Sequence, residues 1–526
     1  MPPLGLVKDL LDAPGVARAT DEADAARLAG QLSDALGLKV LPQSICGNEG
    51  AIYAMGRQGG KRMLCLVARG GNNTVAAFEG KTVSITVDEE ELSARVCPTG
   101  HANAVEVRKQ LLFARPVPVG LKKSFGFGDR LGLATPGHVR AVRGTSMVPF
   151  FAQQSIREMT RSGRTPEIVM DDATWGTLEE GYTEARGSDA DHLKTADDAD
   201  ACLAAGFTLF TIDPGDEVDD AADEEKAAAL REKFDRLPWE ELETTPEDCR
   251  RAFLGAPVTL SDALTIAFTD ETLDRAAVKY GRAVLHVAKL YRHIAAKRDE
   301  GQFELEVSVD ETETPTSVVE HYYIASELKR LGVAWVSLAP RFVGRFEKGV
   351  DFIGDIAEFE RTFIHHVDIA RHLGPYKLSL HSGSDKFSIY SVAAKHAGEL
   401  IHVKTAGTSY LEALHVTAEV KPALFREILD FAIGRYEEDK KTYHVSADLA
   451  KVPASKDLGD DELAGVIARF DARQVLHVTY GSVLMTKDET GRPRFRDRLL
   501  AVLKADPEAH AAALEKHLRR HVQPFA

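Results

Sequence analysis

Cysteine is scarce in this chain. Cys46, Cys65, Cys97, Cys202 and Cys249 are scattered over 526 residues without a CxxC pair, so neither a disulfide framework nor a structural zinc knuckle is expected. Basic charge is in deficit as well: Lys+Arg 65 against Asp+Glu 81 leaves a net charge of −16. That balance argues against a nucleic-acid partner, because a phosphate backbone requires a basic footprint. Long apolar runs are missing. No stretch approaches the roughly 20 apolar residues of a membrane helix, and the start MPPLGLVKDLLDAPG has no basic segment followed by an apolar run. A soluble cytoplasmic protein with no membrane contact is expected. No GxSxG elbow, P-loop or HExxH occurs, which removes the commonest hydrolase, nucleotide and metalloprotease readings. In SFGFGDRLG, Gly126 and Gly128 are followed by Leu131 where GxGxxG needs its third glycine, so nicotinamide binding has little support.

What is present is a series of short apolar strands with charged or Gly-rich tips. Residues 1–120 read as a separate α+β domain, with the helical period of ADAARLAGQLSDALGL followed by the β-like runs AIYAMGR, RMLCLVAR, TVAAFEG and TVSITVD. From Ser124 onward eight strands alternate with helical stretches: 124–132, 167–172, 188–195, 207–213, 303–311, 334–341, 377–383 and 400–407. Eight such units predict an α/β fold, a TIM-like (β/α)8 barrel over 121–410. The acidic, helical segment at about 214–302 is too long for an ordinary barrel connection and is expected to be an inserted cap or an oligomer surface. Residues 411–526 read as a mostly helical C-terminal extension.

The chemistry concentrates on strand ends. In YKLSLHS, Leu378 and Leu380 alternate with Lys377, Ser379 and His381; in LIHVKT, Ile401 and Val403 alternate with His402 and Lys404. One face suits helix packing and the other points into the barrel mouth. In FELEVSVDE the same alternation turns Glu304, Glu306, Ser308 and Asp310 inward. Asp310, His381 and His402, with His192 from DADHLKT as a fourth candidate, form a mixed N/O set suited to a divalent ion such as zinc, manganese, cobalt or nickel. An isolated inward histidine is more often a hydrogen-bonded core residue than a ligand; their coincidence on separate strands is what points to a metal. Asp191 and Lys194 flank His192 as an acid/base and a cation. Ser382 and Asp385 in the loop after His381 sit where ligands are met, and Arg130 and Arg341 at strand tips are candidate anion binders.

The motifs SVDETET, LHSGSD and IHVKTAG resemble the strand ends of metal-dependent (class II) aldolases. Over most of its length, including GFGDRLGLATPGH, DADHLKT, TIDPGD and VLHVTYGSVL, the chain resembles the tagaturonate epimerases, close relatives of the tagatose 4-epimerases. The aldolase likeness implies metal binding by His192 and His381 and an acid/base role for Asp191. His402 stands where aldolases usually carry asparagine, and Ser382 dilutes the phosphate-binding glycines, which fits a free sugar acid. The epimerase likeness implies inversion at C4 between D-tagaturonate and D-fructuronate, by retro-aldol and aldol steps through a metal-stabilised enediolate. Lys194 or Lys404 would then hold developing negative charge, and Arg130 or Arg341 the substrate carboxylate. Two other readings stand beside this one: net aldol cleavage of a sugar acid or ketose, and a non-catalytic barrel acting as a regulatory or assembly subunit. A homo-oligomer is compatible with all three.

Overall fold

The computed structural model describes residues 5–526; the first four residues of the N-terminal region lie outside the described part. That region contains a seven-stranded antiparallel sheet. Its longer strands are Ala51–Gln58, Lys61–Ala68, Lys81–Val87 and Glu90–Pro98. The first two meet through Gly59 and Gly60 at φ 58 and 77, the left-handed pair that a two-residue hairpin turn requires. TVAAFEG, read as β-like, instead contains the helix Asn73–Ala76, because the Asn72 side chain accepts from Val75 N at 3.1 Å and starts a helical turn.

Eight parallel strands close into a barrel: β1 Ser124–Gly128, β2 Val148–Ser155, β3 Gly187–Leu193, β4 Leu209–Ile212, β5 Glu304–Val309, β6 Ser337–Pro340, β7 Lys377–Leu380 and β8 Ile401–Thr405. The expected second strand at 167–172 is corrected to β2. Residues 167–172 lie within the helix Pro166–Glu179, which Thr165 caps and Pro166 opens, both signals of a helix start. Asp171 is on that helix, 2.9 Å from Arg108 and 2.8 Å from His101.

The segment between β4 and β5 holds two short helices and a two-stranded hairpin, then the 26-residue helix Asp270–Ala295. Tyr280, Val284 and Val287 of that helix face Val307 and Val309 of β5. It is therefore the crossover helix that joins parallel neighbours β4 and β5, and the true insertion is shorter than 214–302. Residues 408–505 build a second apolar core around Tyr410, Phe425, Leu476 and Tyr480, forming a roof. VLHVTYGSVL lies in this roof as the consecutive helices Phe470–Val478 and Tyr480–Met485.

The chain then returns to the barrel. The helix Pro507–Val522 packs beside Thr135–Val142, which follows β1, and Phe387–Ala397, which follows β7. Its Leu514, Leu518 and Val522 join the same core as the strands. It occupies the place of the eighth barrel helix. Among the described residues no helix is long and apolar enough to cross a membrane.

Candidate metal centre

The strand alternation decides what lines the barrel. On β5, Leu305, Val307 and Val309 enter the core shared with the outer helices, leaving Glu306 and Ser308 inside and Asp310 at the rim. On β8, Ile401 and Val403 go outward in the same way, and His402 and Lys404 go inward. The inner face is nevertheless buried, so its charges must satisfy one another. Lys404 Nζ is the hub. It lies 2.7 Å from Asp189, 2.9 Å from Asp191 and 2.7 Å from Glu306, and it donates to Thr211 Oγ1 at 2.6 Å. Burial disfavours the ammonium, but the three carboxylates outweigh it and raise its proton affinity above the ordinary lysine value.

Above this hub, β3 breaks register between Ala190 and Leu193, and His192 has φ 53. This irregularity lets two consecutive residues, Asp191 and His192, both face the mouth. His192 Nδ1 is 2.8 Å from Asp191 Oδ1. His381, at the end of β7, has Nε2 2.6 Å from Glu306 Oε1 and Nδ1 3.0 Å from Asp310 Oδ1. His192 is thus held by Asp191 and His381 by Glu306, as second partners orient metal-bound imidazoles, while the other nitrogen of His381 meets Asp310, itself a candidate ligand. Ligand atoms of His192, Asp310 and His381 all lie within 4.8 Å of one another.

The electrostatics point the same way. Burial opposes both imidazolium ions, yet Asp310 and Glu306 hold His381 up at about 10, and Asp191 and Glu311 hold His192 up at about 9. Asp310 is held below the usual carboxylate range despite its burial, chiefly by His381. The cluster calls for positive charge, and one divalent cation would supply it in place of the two ring protons. The donor set fits such an ion.

The other expected site residues are distributed differently. His402 is not with the three candidate ligands. Its β8 position pairs with Ser124 and Ser379, deeper in the barrel than Lys404, where Nδ1 meets Ser124 Oγ at 2.8 Å and burial drives its proton affinity well down. Lys194 points away from the mouth and pairs with Asp216 at 2.7 Å, its side chain 42% exposed. Asp385 is a clasp rather than a wall of the chamber. Arg473 bonds its Oδ2 at 2.8 Å, His517 its Oδ1 at 2.7 Å, and its own N–H donates to His521 Nε2 at 2.9 Å. Asp385, His517 and His521 also lie close enough to suggest a metal site, but these bonds already use the ligand atoms, so the cluster ties the loop after β7 to the last helix. Arg341 lines only an outer vestibule. Arg130 and Ser382 do line the inner chamber; Arg130 is buried, with Nε donating to Glu158 Oε1 at 2.8 Å and its guanidinium 3.6 Å from the Tyr480 ring centre.

Several groups in the site were not singled out from sequence. Glu306 was legible as an inward position by alternation, but nothing distinguished it from a solvated strand charge, and Asp189 lies on a strand whose own pattern is weak. Gln153, whose Nε2 donates to Asp191 Oδ2 at 3.2 Å, belongs to the strand that was misplaced. Lys348 lies on the loop after β6 and Tyr443 belongs to the roof; both line the chamber, and no local pattern announces them. His477, within the VLHVTYGSVL motif, lines it from the roof as well. The inner chamber is tight, a cavity of about 40 Å3, and it shares Asp310, Lys348, His381 and Ser382 with the wider vestibule of about 270 Å3 outside it.

The comparisons with known proteins agree with this architecture. The chain matches the tagaturonate epimerase family over residues 41–525. A tagaturonate/fructuronate epimerase of Thermotoga maritima is 45% identical over 433 residues, 82% of this chain and 87% of that protein. Crystal structures of a fructuronate-tagaturonate epimerase from Cohnella laeviribosi, one glycerol-complexed and one native, are similar at TM-scores of 0.87 and 0.86. Both are 34% identical and cover 96% of this chain and 99% of their own. Matched along nearly its whole length, from the N-terminal sheet through the barrel to the last helix, this chain belongs to the tagaturonate epimerase family.

Proposed function

We propose that the protein is a metal-dependent epimerase that interconverts D-tagaturonate and D-fructuronate by inversion at C4, counted from the hydroxymethyl end. The observation that carries the reading is the convergence of His192, Asp310 and His381 at the barrel mouth in a chain of this family. C4 is β to the ketone at C2, so the carbonyl does not acidify its hydrogen, and breaking the C3–C4 bond is the easier route. His192, Asp310 and His381 would hold a divalent ion, zinc, manganese, cobalt or nickel, which would supply Lewis-acid polarisation of the substrate's ketone.

The chain's own groups do the rest. Asp191 is ionised, because His192 and Lys404 outweigh its burial, and it accepts the C4 hydroxyl proton as the C3–C4 bond breaks. The electron pair passes from that bond toward the C2 carbonyl, the aldehyde fragment turns over, and re-addition returns the proton to O4. Lys404, in contact with Asp191, counters the negative charge that develops. Arg130, Arg157 and Lys348 also line the chamber, a cationic set suited to the sugar acid's carboxylate. Tyr443 and His477 of the roof restrict water.

The test is metal-reconstituted protein incubated with tagaturonate and followed by 13C NMR. Fructuronate forms with the wild type and not with His381→Ala; equal turnover by that variant removes the site. Accumulating free aldehyde would reassign the protein to net aldol cleavage.

A further inference from the structure

Resting on that reading of the site, we propose that Lys348 is the residue that reads the substrate carboxylate and so sets the preference for a sugar acid over a neutral ketose. The other lysine and arginine cations of the chamber are already paired with carboxylates. Arg130 is paired with Glu158 at 2.7 Å, Arg157 with Glu311 at 3.3 Å, and Lys404 with three carboxylates. Lys348 Nζ donates to Ser382 Oγ at 2.5 Å, and among the described residues no carboxylate lies within ion-pair distance of it. Ser382 directly follows His381, so this ammonium stands beside the candidate metal centre, where the inner chamber opens into the outer vestibule.

The loop that carries it is fixed from both sides. Lys386 Nζ donates to Glu347 O at 2.8 Å and Val350 O at 2.5 Å, and Arg473 Nε donates to Gly349 O at 2.6 Å. Gly349, at φ 72, lies so close to the His477 ring that a Cβ there would fall 2.9 Å from Nδ1. His477 Nδ1 is itself buried without a partner. Its Nε2 lies 3.5 Å from the Arg130 Nη2 donor, so the ring brings no negative charge to this wall. A half-buried ammonium held in place with only a neutral hydroxyl to meet it is a poor structural element and a good anion receptor.

The test uses D-galactonate and galactitol, an acid and a neutral polyol without a ketone to turn over, titrated calorimetrically into the metal-loaded protein. Wild type is expected to bind the acid at least tenfold more tightly, Lys348→Met to lose about 10–100-fold in acid affinity with metal content and galactitol affinity retained, and Lys348→Arg to recover part of the loss. The assignment is overturned if Lys348→Met keeps the preference, if Arg341→Met removes it instead, if both Lys348 variants lose both ligands alike, or if wild type shows no preference. A wild type that shows the preference yet does not epimerise tagaturonate sinks the functional reading alone.

Discussion

Lys404 Nζ lies 2.9 Å from Asp191 Oδ1, and the same ammonium is the only lysine or arginine cation within ion-pair distance of Asp189 or Glu306 among the described residues. Removing it leaves three carboxylates in the barrel with one fewer countercharge. Lys404→Met is therefore expected to lower stability by about 3–5 kcal/mol, read as the urea midpoint at pH 7. Adding Glu306→Gln to that variant should recover part of the loss, since the two changes act on one network. A midpoint unchanged from wild type would show that the cluster does not need its lysine.

Glu306 touches no ion in the proposed centre but fixes the His381 ring through Nε2. Glu306→Gln should weaken metal binding by about 10–100-fold while the three ligands remain in place. Competition with a chromophoric chelator measures this directly. Equal affinity in the variant and the wild type would remove Glu306 from that role.

In a retro-aldol inversion the C4–H bond is never broken. Turnover of tagaturonate in D2O should therefore give fructuronate that retains its C4 proton in the 1H NMR spectrum. Deuterium at C4 would instead demonstrate deprotonation at that carbon, and the C3–C4 cleavage route would have to be abandoned.

His138 stacks on Phe127 with ring centres 5.0 Å apart and meets Ser409 Oγ at 2.7 Å; burial pushes it down to about 4. Its unfolded value is near 6.5, so between these two values the unfolded chain binds more protons than the folded one. The stabilisation is complete above about pH 6.5 and is lost as pH falls toward 4, by about 3 kcal/mol for this residue. Urea unfolding at pH 7.5 and 4.5 should show a smaller acid loss in His138→Gln than in wild type, and identical losses would exclude His138 as a source.

Faces of strands were legible in the sequence, whereas depth and local irregularity were not. Alternation placed Lys404, His402 and His381 on the inner side of their strands. It carries no information about position along the barrel axis, and register is what separates His402, level with Ser124, from His381 at the rim. The partnership of Asp191 with His192 depends on a break in β3 that strict alternation forbids; adjacency in DADHLKT marked both as candidates, but not that both face the mouth. The misplaced second strand had a readable cause: Thr165-Pro166-Glu167 is a helix start, and VPFFAQQS offers a run of apolar residues that periodicity alone does not type. Lys348 and His477 reach the chamber through loop and roof packing that only the tertiary arrangement supplies.

The wall of helices between Thr135–Val142 and Phe387–Ala397 is filled by Pro507–Val522, a segment separated from β8 by the whole roof. On a translating ribosome, every proposed ligand and the roof residues above them are synthesised before the piece that seals this gap. The nascent barrel therefore leaves Phe125, which His521 covers in the finished fold, exposed along one open side until residues beyond 506 emerge. Release from chaperones, and resistance to proteases, should be acquired late and in a single step.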